Sequence, residues 1–542
     1  MKTVIIKIIT DKRINRMDKS KNRLINKRDL LFIAGLLAVF AISFFLWGKI
    51  KSVNFCDEIY SYILSNSMNE FLSFQLTGDH WYVDGETRGI LAAVDGFQFR
   101  QVMLNNKGDV HPPVYYFAMH FLSVLRPASV SKWIGLLVNF GAALVSIICV
   151  YILIKQITGS VAASVLSCLV YISSPAVISM NMFIRMYAMF SMWVLLFVLT
   201  AYNIYKNEKN WLLYPALFAV TVCGFLTQYY FAVFCVLFTC CYCINKLQQR
   251  RFGNVCCFVG SLVAAVVCAT VLWPTWIKHM FSGYLGGAVT QNAFDFSKIF
   301  SSIKYGFVHL FTLMYNKLNF VCAILLLVMI VFLIINKCRQ IRIILSLIIT
   351  AVLYSIAVVH LTPTHLLSYR YFFPVVVIAY IAFVLSLYYV GEVLSGKGVK
   401  YMFVCAAGLL VVLNFARPLY DLDAVSYVDR KGDYRAAQKV LEDVSDIPWI
   451  YYGYENSTMT ELLYDSTMSA KFIMVNALTP FDDKEFTDKD SEFILFAGDE
   501  NSYFDENVFD SLANWFKGEL NYEELTHKGY MTVYKVTHTI KQ

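Results

Sequence analysis

Long apolar runs separated by short polar segments dominate the middle of the chain. Runs of about 18 or more apolar residues are long enough to cross a hydrocarbon core of roughly 30 Å. On this basis the predicted spans are 30–48, 112–126, 133–154, 160–180, 187–205, 211–227, 230–245, 254–273, 319–336, 342–360, 371–390 and 401–416. The pattern predicts a polytopic α-helical membrane protein of about 11–13 spans.

Composition agrees with this prediction and divides the chain into parts. Hydrophobic residues make up 58% of the sequence and charged residues 15%, against about 45–50% and about 25% in soluble domains. The charges gather in residues 1–29, 49–111 and 421–542. We therefore predict a basic tail over 1–29, a membrane domain over 30–420 with a long loop at 49–111, and a soluble domain over 421–542.

The last 122 residues show the shorter periods of a small α/β domain. Helices are predicted at Asp433–Val444 and Glu506–Lys517, strands at Trp449–Tyr454, Lys471–Val475 and Phe493–Ala497, and an edge strand at Tyr530–Thr537. This domain contains no GxGxxG or GxxxxGK[ST] phosphate loop. Because residues 417–542 also lack cysteine, a disulfide framework and a metal–thiolate site are both excluded there.

Basic residues predict the orientation of the chain. A basic tail can bind nucleic acid or anionic lipid, but beside a span it more often holds its side of the span in the cytoplasm. We therefore expect a lipid bilayer and no nucleic acid as partner, with Leu30–Trp47 as a signal anchor. The same rule places these basic groups inside: Arg126 with Lys132, Lys206 with Lys209, Lys246 with Arg250 and Arg251, Lys337 with Arg339 and Arg342, and Lys397 with Lys400. The loops at 274–318 and 361–370 and the C-terminal domain then lie on the extracytoplasmic side.

This orientation leaves one conflict. Lys132 inside and Arg185 outside require an odd number of crossings between them, but the sequence offers two segments. Ser174-Pro175 can mark a broken or re-entrant pair, which is tolerated where it lines a polar cavity.

The first loop carries the candidate chemistry. It opens with Cys56-Asp57-Glu58 directly after the first span and closes with Asp109-Val110-His111-Pro112-Pro113 at the start of the second. An ionised but poorly hydrated carboxylate such as Asp57 is a good general base, and His111 can donate, accept or bind a metal. The two prolines fix how the chain enters the next helix. Taken singly, the acidic pair also fits a solvated loop start, and His-Pro-Pro a plain helix entry.

Four short motifs together resemble the GT-C glycosyltransferases. They are Asp57-Glu58 after the first span, Asp109-x-His111-Pro112-Pro113-x-Tyr115-Tyr116, Arg185-Met186-Tyr187, and Tyr369-Arg370-Tyr371-Phe372-Phe373-Pro374 at the start of a late span. The likeness is strongest to the branch containing protein O-mannosyltransferases and lipid A aminoarabinose transferases, and it covers most of residues 30–420 in layout. Gln228 stands where that branch commonly has histidine, so it receives no role.

The resemblance implies a membrane glycosyltransferase of the cell envelope that moves a sugar from a polyprenyl phosphate to an acceptor hydroxyl on the extracytoplasmic face. It implies that Asp57 is the catalytic base and that Glu58 orients the acceptor or tunes the base. It also implies inversion at the sugar carbon through one displacement. A glycan, lipid, wall polymer or protein acceptor stays open.

Substrate-binding residues are expected among the cations near this loop. Arg370 is the candidate phosphate clamp, because guanidinium binds phosphate in a bidentate fork. Arg185 and Lys107 are further candidates, with the alternative that Arg185 snorkels or pairs structurally. Asp109, His111 and Tyr371 complete the expected substrate-binding set.

No cofactor is expected. Asp57, Asp109 and His111 could hold a divalent metal, but the sequence does not require one. Two other functions remain: a transporter or flippase for lipid-linked sugars, and a non-catalytic scaffold that displays its C-terminal domain. Transporters usually show inverted repeats and midplane charges, whereas these charges gather near span ends. The predicted location is the plasma membrane, with the N-terminus in the cytoplasm.

Overall fold

The fold is seen in a computed structural model of the chain. It describes residues 25–52, 55–68, 80–93, 96–282, 286–394, 397–429, 432–452, 465–475, 481, 483–498, 508–528 and 531–540. Most of the predicted basic tail (1–29) therefore lies outside the described residues.

Helices form nearly all of the described structure up to residue 420. They are α1 (Lys27–Ile50), α2 (Cys56–Asn66), α3 (Asp84–Leu91), α4 (Phe99–Gly108), α5 (Val114–Val124), α6 (Lys132–Thr158), α7 (Val161–Ser173), α8 (Pro175–Met182), α9 (Tyr187–Lys206), α10 (Leu213–Phe225), α11 (Tyr230–Gln248), α12 (Phe252–Leu272), α13 (Thr275–Phe281), α14 (Gly286–Ala293), α15 (Ile299–Tyr315), α16 (Asn319–Ile335), α17 (Ile341–Leu361), α18 (Phe373–Val393) and α19 (Lys397–Tyr420).

Many of these helices are long and apolar enough to cross a membrane. Among the described residues, eight helices meet this criterion of length and apolarity singly. Two bent helix pairs raise the number to ten if each pair is counted as one span. One pair is α7 and α8, which meet at Ser174 with a bend of 58°. Proline at the first position of α8 explains the break, because it supplies no amide hydrogen to continue α7. The helix bundle confirms the polytopic membrane fold and the predicted interruption at Ser174-Pro175.

The first two long helices run antiparallel and define two ends of the bundle. At one end Lys155 of α6 lies 3.1 Å from Asp29 of α1. At the other, the Lys132 ammonium donates to the carbonyl of Lys51. We call the end that holds Lys51 the loop face and the opposite end the far face.

Helix α5 does not cross the bundle. The chain after it stays at the loop face, where Ala128 N–H donates to Ala93 at 2.9 Å and the Tyr62 hydroxyl donates to the Ser131 carbonyl at 2.7 Å. Arg126 and Lys132 are therefore on the same side as Lys51, and the predicted membrane crossing between them and Lys51 is wrong. The correction removes the conflict in the number of crossings, because α6 and the bent pair now lead from Lys132 back to Arg185 at the loop face.

The prediction of a loop at 274–318 is also wrong, because the segment is largely helical. It contains α13, α14 and α15, and α15 packs along α17 with Ser302 Oγ 3.3 Å from His360 Nδ1. Ser302 and Gly306 face α17 while Phe300 and Ile303 are exposed. This two-faced pattern has too many polar positions to be detected as a span.

The C-terminal domain is built on a six-stranded sheet in the order β1-β3-β2-β4-β6-β5. The strands are β1 (Tyr82–Val83), β2 (Trp449–Tyr452), β3 (Lys471–Val475), β4 (Ser491–Gly498), β5 (Glu519–Lys528) and β6 (Met531–Thr539), with helices α20 (Asp433–Asp443), α21 (Lys484–Thr487) and α22 (Val508–Trp515). Strand β2 is parallel to β3 and β4, and the other pairings are antiparallel. The predicted edge strand at Tyr530–Thr537 is in fact interior, because the polar strand β5 covers it.

Strand β1 belongs to the first loop and pairs with β3 of the C-terminal domain. Beside it, the Trp81 indole donates to Asp483 at 2.8 Å, and Arg88 donates to the Thr467 carbonyl at 3.1 Å. The first loop is therefore shared between the membrane helices and the soluble domain, and it fixes one against the other.

Candidate active site

Helix α2 presents Asp57 at the loop face. Asp57 and Glu58 lie in its first turn, where the unpaired amides and the helix dipole favour negative charge. Glu58 accepts the Phe55 amide at 2.9 Å and so caps the helix. Because Phe55 and Glu58 close this turn, the direction of Asp57 is fixed by the backbone rather than by a free loop.

Two arginines converge on the Asp57 carboxylate. Arg370 lies in the 3-10 turn Tyr369–Phe372 just before α18 and donates to Asp57 Oδ2. Arg185 lies between α8 and α9, with its Nη2 3.6 Å from Asp57 Oδ1. The Asp57 side chain is 30% exposed and that of Arg185 only 5%. The carboxylate is thus reachable from outside, while the second guanidinium is enclosed by protein.

A second chain of contacts holds Arg185 in place. His111 Nδ1 lies 2.7 Å from Asp109 Oδ2, and His111 Nε2 lies 3.4 Å from Arg185 Nη2. Arg185 Nη1 donates to the Tyr116 hydroxyl at 3.1 Å. With Nδ1 protonated toward Asp109, the His111 Nε2 lone pair accepts from Arg185. We call Asp57, Asp109, His111, Arg185 and Arg370 the Asp57 cluster.

The charges of the cluster keep both of its carboxylates ionised. Burial raises the pKa of Asp57, but Arg185 and Arg370 outweigh it and hold that pKa below its usual value. Burial opposes ionisation of Asp109 as well, and His111 with Arg185 lowers its pKa to about 2. Attraction from Asp57 and Asp109 raises the pKa of Arg185 in turn, against the effect of burial.

Glu58 points away from the cluster. Its carboxylate is fully buried, 2.8 Å from the Lys51 ammonium, and it also accepts the Ile184 amide at 2.7 Å. Lys51 donates further to the Tyr427 carbonyl at 3.2 Å. Burial raises the pKa of Glu58 and lowers that of Lys51, and their mutual attraction opposes both shifts. Glu58 therefore joins the end of α1, the start of α2 and the segment that carries Arg185.

We expect Glu58→Gln to destabilise the protein strongly. Removing one partner of a buried ion pair leaves the other charge uncompensated, at a cost of about 3–5 kcal/mol. Thermal unfolding in detergent would show a lower midpoint, partly restored by adding Lys51→Met. Glu442→Gln, on the exposed side of α20, is the matched control. An unchanged midpoint for Glu58→Gln would contradict the importance of this pair.

The two other predicted binding residues lie at the margin of the cluster. Lys107 is exposed at the end of α4, and its carbonyl is 3.3 Å from His279 Nε2. Tyr371 is half-buried, with its ring centroid 5.5 Å from Arg370 Cζ and 5.7 Å from the Tyr230 ring. The substrate-binding roles of both residues stay predictions.

Several residues of the site gave no clear signal in the sequence. Lys51 is one of two lysines beside the first span, and it stands seven residues before the carboxylate that it pairs with. Tyr427 crosses over the cluster with its ring stacked on Phe183 at 4.0 Å. Its φ of 66° lies in the left-handed region, which is energetically costly for a bulky side chain. No sequence pattern predicts this backbone conformation. Tyr116 lies in a recognised motif, but only its bond to Arg185 shows what it does.

The candidate metal ligands Asp57, Asp109 and His111 face groups of the protein. Among the described residues, no group of three or more His, Cys, Asp or Glu side chains is placed to hold a metal ion. Of the three candidate ligands, Asp57 faces the two guanidinium groups and Asp109 faces His111. In the structure each of these two carboxylates therefore already has a protein partner.

The comparison with solved structures identifies related folds. ArnT from Cupriavidus metallidurans bound to undecaprenyl phosphate matches with 12% identity over 93% of this chain and 97% of that chain, at a TM-score of 0.50. Its apo state matches with 13% identity, the same coverage of both chains and a TM-score of 0.47. The archaeal oligosaccharyltransferase AglB from Archaeoglobus fulgidus matches with 11% identity over 89% of this chain and 71% of that chain, at a TM-score of 0.43.

Sequence comparison points in the same direction. Residues 110–273 match the model of the family described as dolichyl-phosphate-mannose-protein mannosyltransferase. No curated protein sequence matches the chain significantly. The matched segment contains His111, Tyr116 and Arg185 of the site. The family match and the ArnT-like fold together confirm the predicted resemblance of this chain to the GT-C glycosyltransferases.

Proposed function

We propose that the protein transfers a sugar from a polyprenyl phosphate to an acceptor hydroxyl at the loop face, with Asp57 as the base. The observation that carries this proposal is the partly exposed Asp57 carboxylate held between Arg185 and Arg370. A base for the incoming hydroxyl and cations for the departing phosphate are the two groups that a single displacement needs. The related ArnT structure contains undecaprenyl phosphate, which is a lipid of the same chemical class as the proposed leaving group.

Donor binding would also activate the base. In the structure both arginines stabilise the ionised carboxylate and so weaken it as a proton acceptor. A lipid phosphate that takes hydrogen bonds from Arg370 or Arg185 would draw those donors away from Asp57. The carboxylate would then accept the hydroxyl proton as the acceptor oxygen attacks the anomeric carbon. The bond from that carbon to the phosphate oxygen breaks, the configuration inverts, and the phosphate leaves as an anion between the guanidinium groups.

The other predicted residues would act by position. Asp109 fixes the His111 ring, and His111 with Tyr116 fixes Arg185. Glu58 would hold the first turn of α2 and the Ile184 backbone rather than touch a substrate. We propose it as a positioning residue, in place of a direct contact with the acceptor.

Basic residues favour the extracytoplasmic side for the loop face. Lys155, Lys206 and Lys246 lie toward the far face, where Lys246 contacts Glu208 and Lys155 contacts Asp29. The positive-inside rule then places the far face in the cytoplasm. The chain would have its N-terminus in the cytoplasm and its C-terminal domain outside the plasma membrane.

The function is tested by separating transfer from transport. Purified protein in liposomes would be given polyprenyl-phosphate sugars labelled in the sugar, together with an envelope extract as acceptor. We expect the label to pass to water-soluble or lipid acceptors and polyprenyl phosphate to accumulate. Movement of intact donor between leaflets without release of polyprenyl phosphate would instead establish the transporter, which the comparisons do not support.

Transfer should not depend on a divalent metal, because cations of the protein already face the carboxylates. Treatment with EDTA followed by removal of the chelator is expected to leave the transfer rate unchanged. A loss of activity that Mg²⁺ or Mn²⁺ restores would contradict this proposal and would assign Asp57, Asp109 or His111 to a metal.

A further inference from the structure

A cavity of about 840 Å³ lies beside the Asp57 cluster at the loop face. It is bordered by α8, by the ends of α15 and α19, by the turn before α18, and by residues 421–429 with Asp433 and Tyr434 at the start of α20. The volume is that of a site for a ligand of several rings rather than for a single ion.

The cavity adjoins the proposed base. Tyr427 lines it, and the Tyr427 ring stacks on Phe183 at 4.0 Å. Arg370 Cζ lies 5.8 Å from the same Phe183 ring. Phe55, which also lines the cavity, immediately precedes α2 and packs edge-on against Tyr427 at 5.0 Å. A ligand in the cavity is therefore separated from Asp57 and Arg370 by a single layer of aromatic rings.

The lining combines two kinds of surface. Aromatic rings come from Phe55, Tyr369, Phe373, Tyr427 and Tyr434. Amide and carboxylate groups come from Asn316, Asp421, Asp423 and Asp433, and Arg417 Nε is buried without a hydrogen-bond partner among the described residues. Ring faces pack against the C–H face of a pyranose, while carboxylates and amides bond its hydroxyls. This combination fits a carbohydrate better than a prenyl chain.

Charge separates this cavity from the phosphate side of the cluster. Four described lining residues are aspartates and one is an arginine. Asp421 lies 3.6 Å from Arg417, and Asp429 lies 3.6 Å from Arg435. Asp423 and Asp433 therefore leave the lining negative, and a phosphate or an acidic glycan would meet like charge. Arg185 and His111, by contrast, lie on the side of Asp57 that faces Asp109 and α4. A neutral ligand fits the cavity, and an anionic one fits the other side.

We propose that this cavity binds a neutral oligosaccharide as the acceptor. The inference rests on the proposed function and narrows its acceptor class. One hydroxyl of the glycan would reach past the aromatic rings of Tyr427 and Phe55. It would attack the anomeric carbon of the donor and give its proton to Asp57. The bond from the anomeric carbon to the phosphate oxygen breaks in the same step, and polyprenyl phosphate departs with the electron pair.

The test is a binding measurement that requires no transfer. Labelled protein in nanodiscs would be applied to a printed array of neutral, acidic and amino-sugar oligosaccharides and of serine- and threonine-containing peptides. The wild type is expected to retain neutral oligosaccharides. Asp423→Asn and Asp433→Asn, both exposed at the cavity wall, should each weaken that signal by about tenfold, since a hydrogen bond to a charged carboxylate becomes a weaker one to a neutral amide. Asp443→Asn, exposed on α20 outside the cavity, should not.

Several results would overturn the inference. Retention of acidic glycans alone or of peptides alone would assign another acceptor class. Equal binding of neutral glycans by the wild type and both cavity variants would place the glycan elsewhere. A protein that releases polyprenyl phosphate from its donor but shows one of these patterns keeps its transferase function and loses only this acceptor site.

Discussion

Asp57→Asn should lower the turnover number for transfer by about 10²–10⁴-fold, the usual contribution of a general base. Asparagine keeps the size of the side chain and can still lie between Arg185 and Arg370, but it cannot take the hydroxyl proton. Initial rates at saturating donor and acceptor measure the effect. The free energy of unfolding should change much less than the rate, because Asp57 is 30% exposed and α2 keeps its Glu58 cap.

Asp443→Asn is the matched control, since it makes the same chemical change on an exposed helix. Wild-type turnover by Asp57→Asn would remove Asp57 as the base. If Asp57→Asn loses both turnover and folding, the role of Asp57 as base is tested with Asp57→Glu instead. That variant restores a carboxylate and should recover part of the transfer rate. No recovery in a folded Asp57→Glu protein would count against the base, since a carboxylate is then present.

Arg370→Ala should produce the second large effect, a loss of about 10²–10³-fold in turnover. This is the cost of removing one preorganised donor from a developing anion. The loss should be greater in turnover than in donor KM, because negative charge on the phosphate oxygen grows as the bond breaks. Arg370→Lys keeps the charge but not the bidentate geometry. Its turnover should therefore lie between those of the wild type and Arg370→Ala.

Arg339→Ala, at an exposed basic position near the far face, serves as the control for lost positive charge and should keep full activity. Equal turnover for Arg370→Ala and Arg339→Ala would show that Arg370 stabilises no charge in the reaction. Its contact with Asp57 would then serve the fold alone.

Apolar runs predicted most of the long apolar helices, but they missed α15 and did not show which helices cross the bundle. The sequence predicts α5 as a span, yet hydrogen bonds with Tyr62 and Ala93 hold the chain after α5 at the loop face. Lys132 was predicted on the opposite side of the membrane from Lys51, yet it donates to the Lys51 carbonyl at the loop face. Hydropathy is a local property, whereas these contacts join residues 35 to 81 positions apart.

The residues of the Asp57 cluster had a local signal in the sequence, and their roles stay predictions. Arg185 and Arg370 were recognisable because a guanidinium within or beside an apolar run is costly unless it has a polar partner. Glu58 was assigned beside Asp57 in function, but successive residues of a helix point about 100° apart, so the two carboxylates face different surroundings. The left-handed backbone of Tyr427 and the pairing of β1 with β3 depend on the assembled structure and have no local signal.

The most direct test of the site is the affinity of polyprenyl phosphate for the wild type, Asp57→Asn and Arg370→Ala in one titration at fixed ionic strength. If the phosphate takes hydrogen bonds from the arginines that hold Asp57, Asp57→Asn should bind it at least as tightly as the wild type while failing to transfer sugar. Arg370→Ala should bind it about 10–100-fold more weakly, as expected for a lost bond between charged groups. Wild-type affinity in both variants would contradict this account, because the lipid phosphate would then bind away from Asp57.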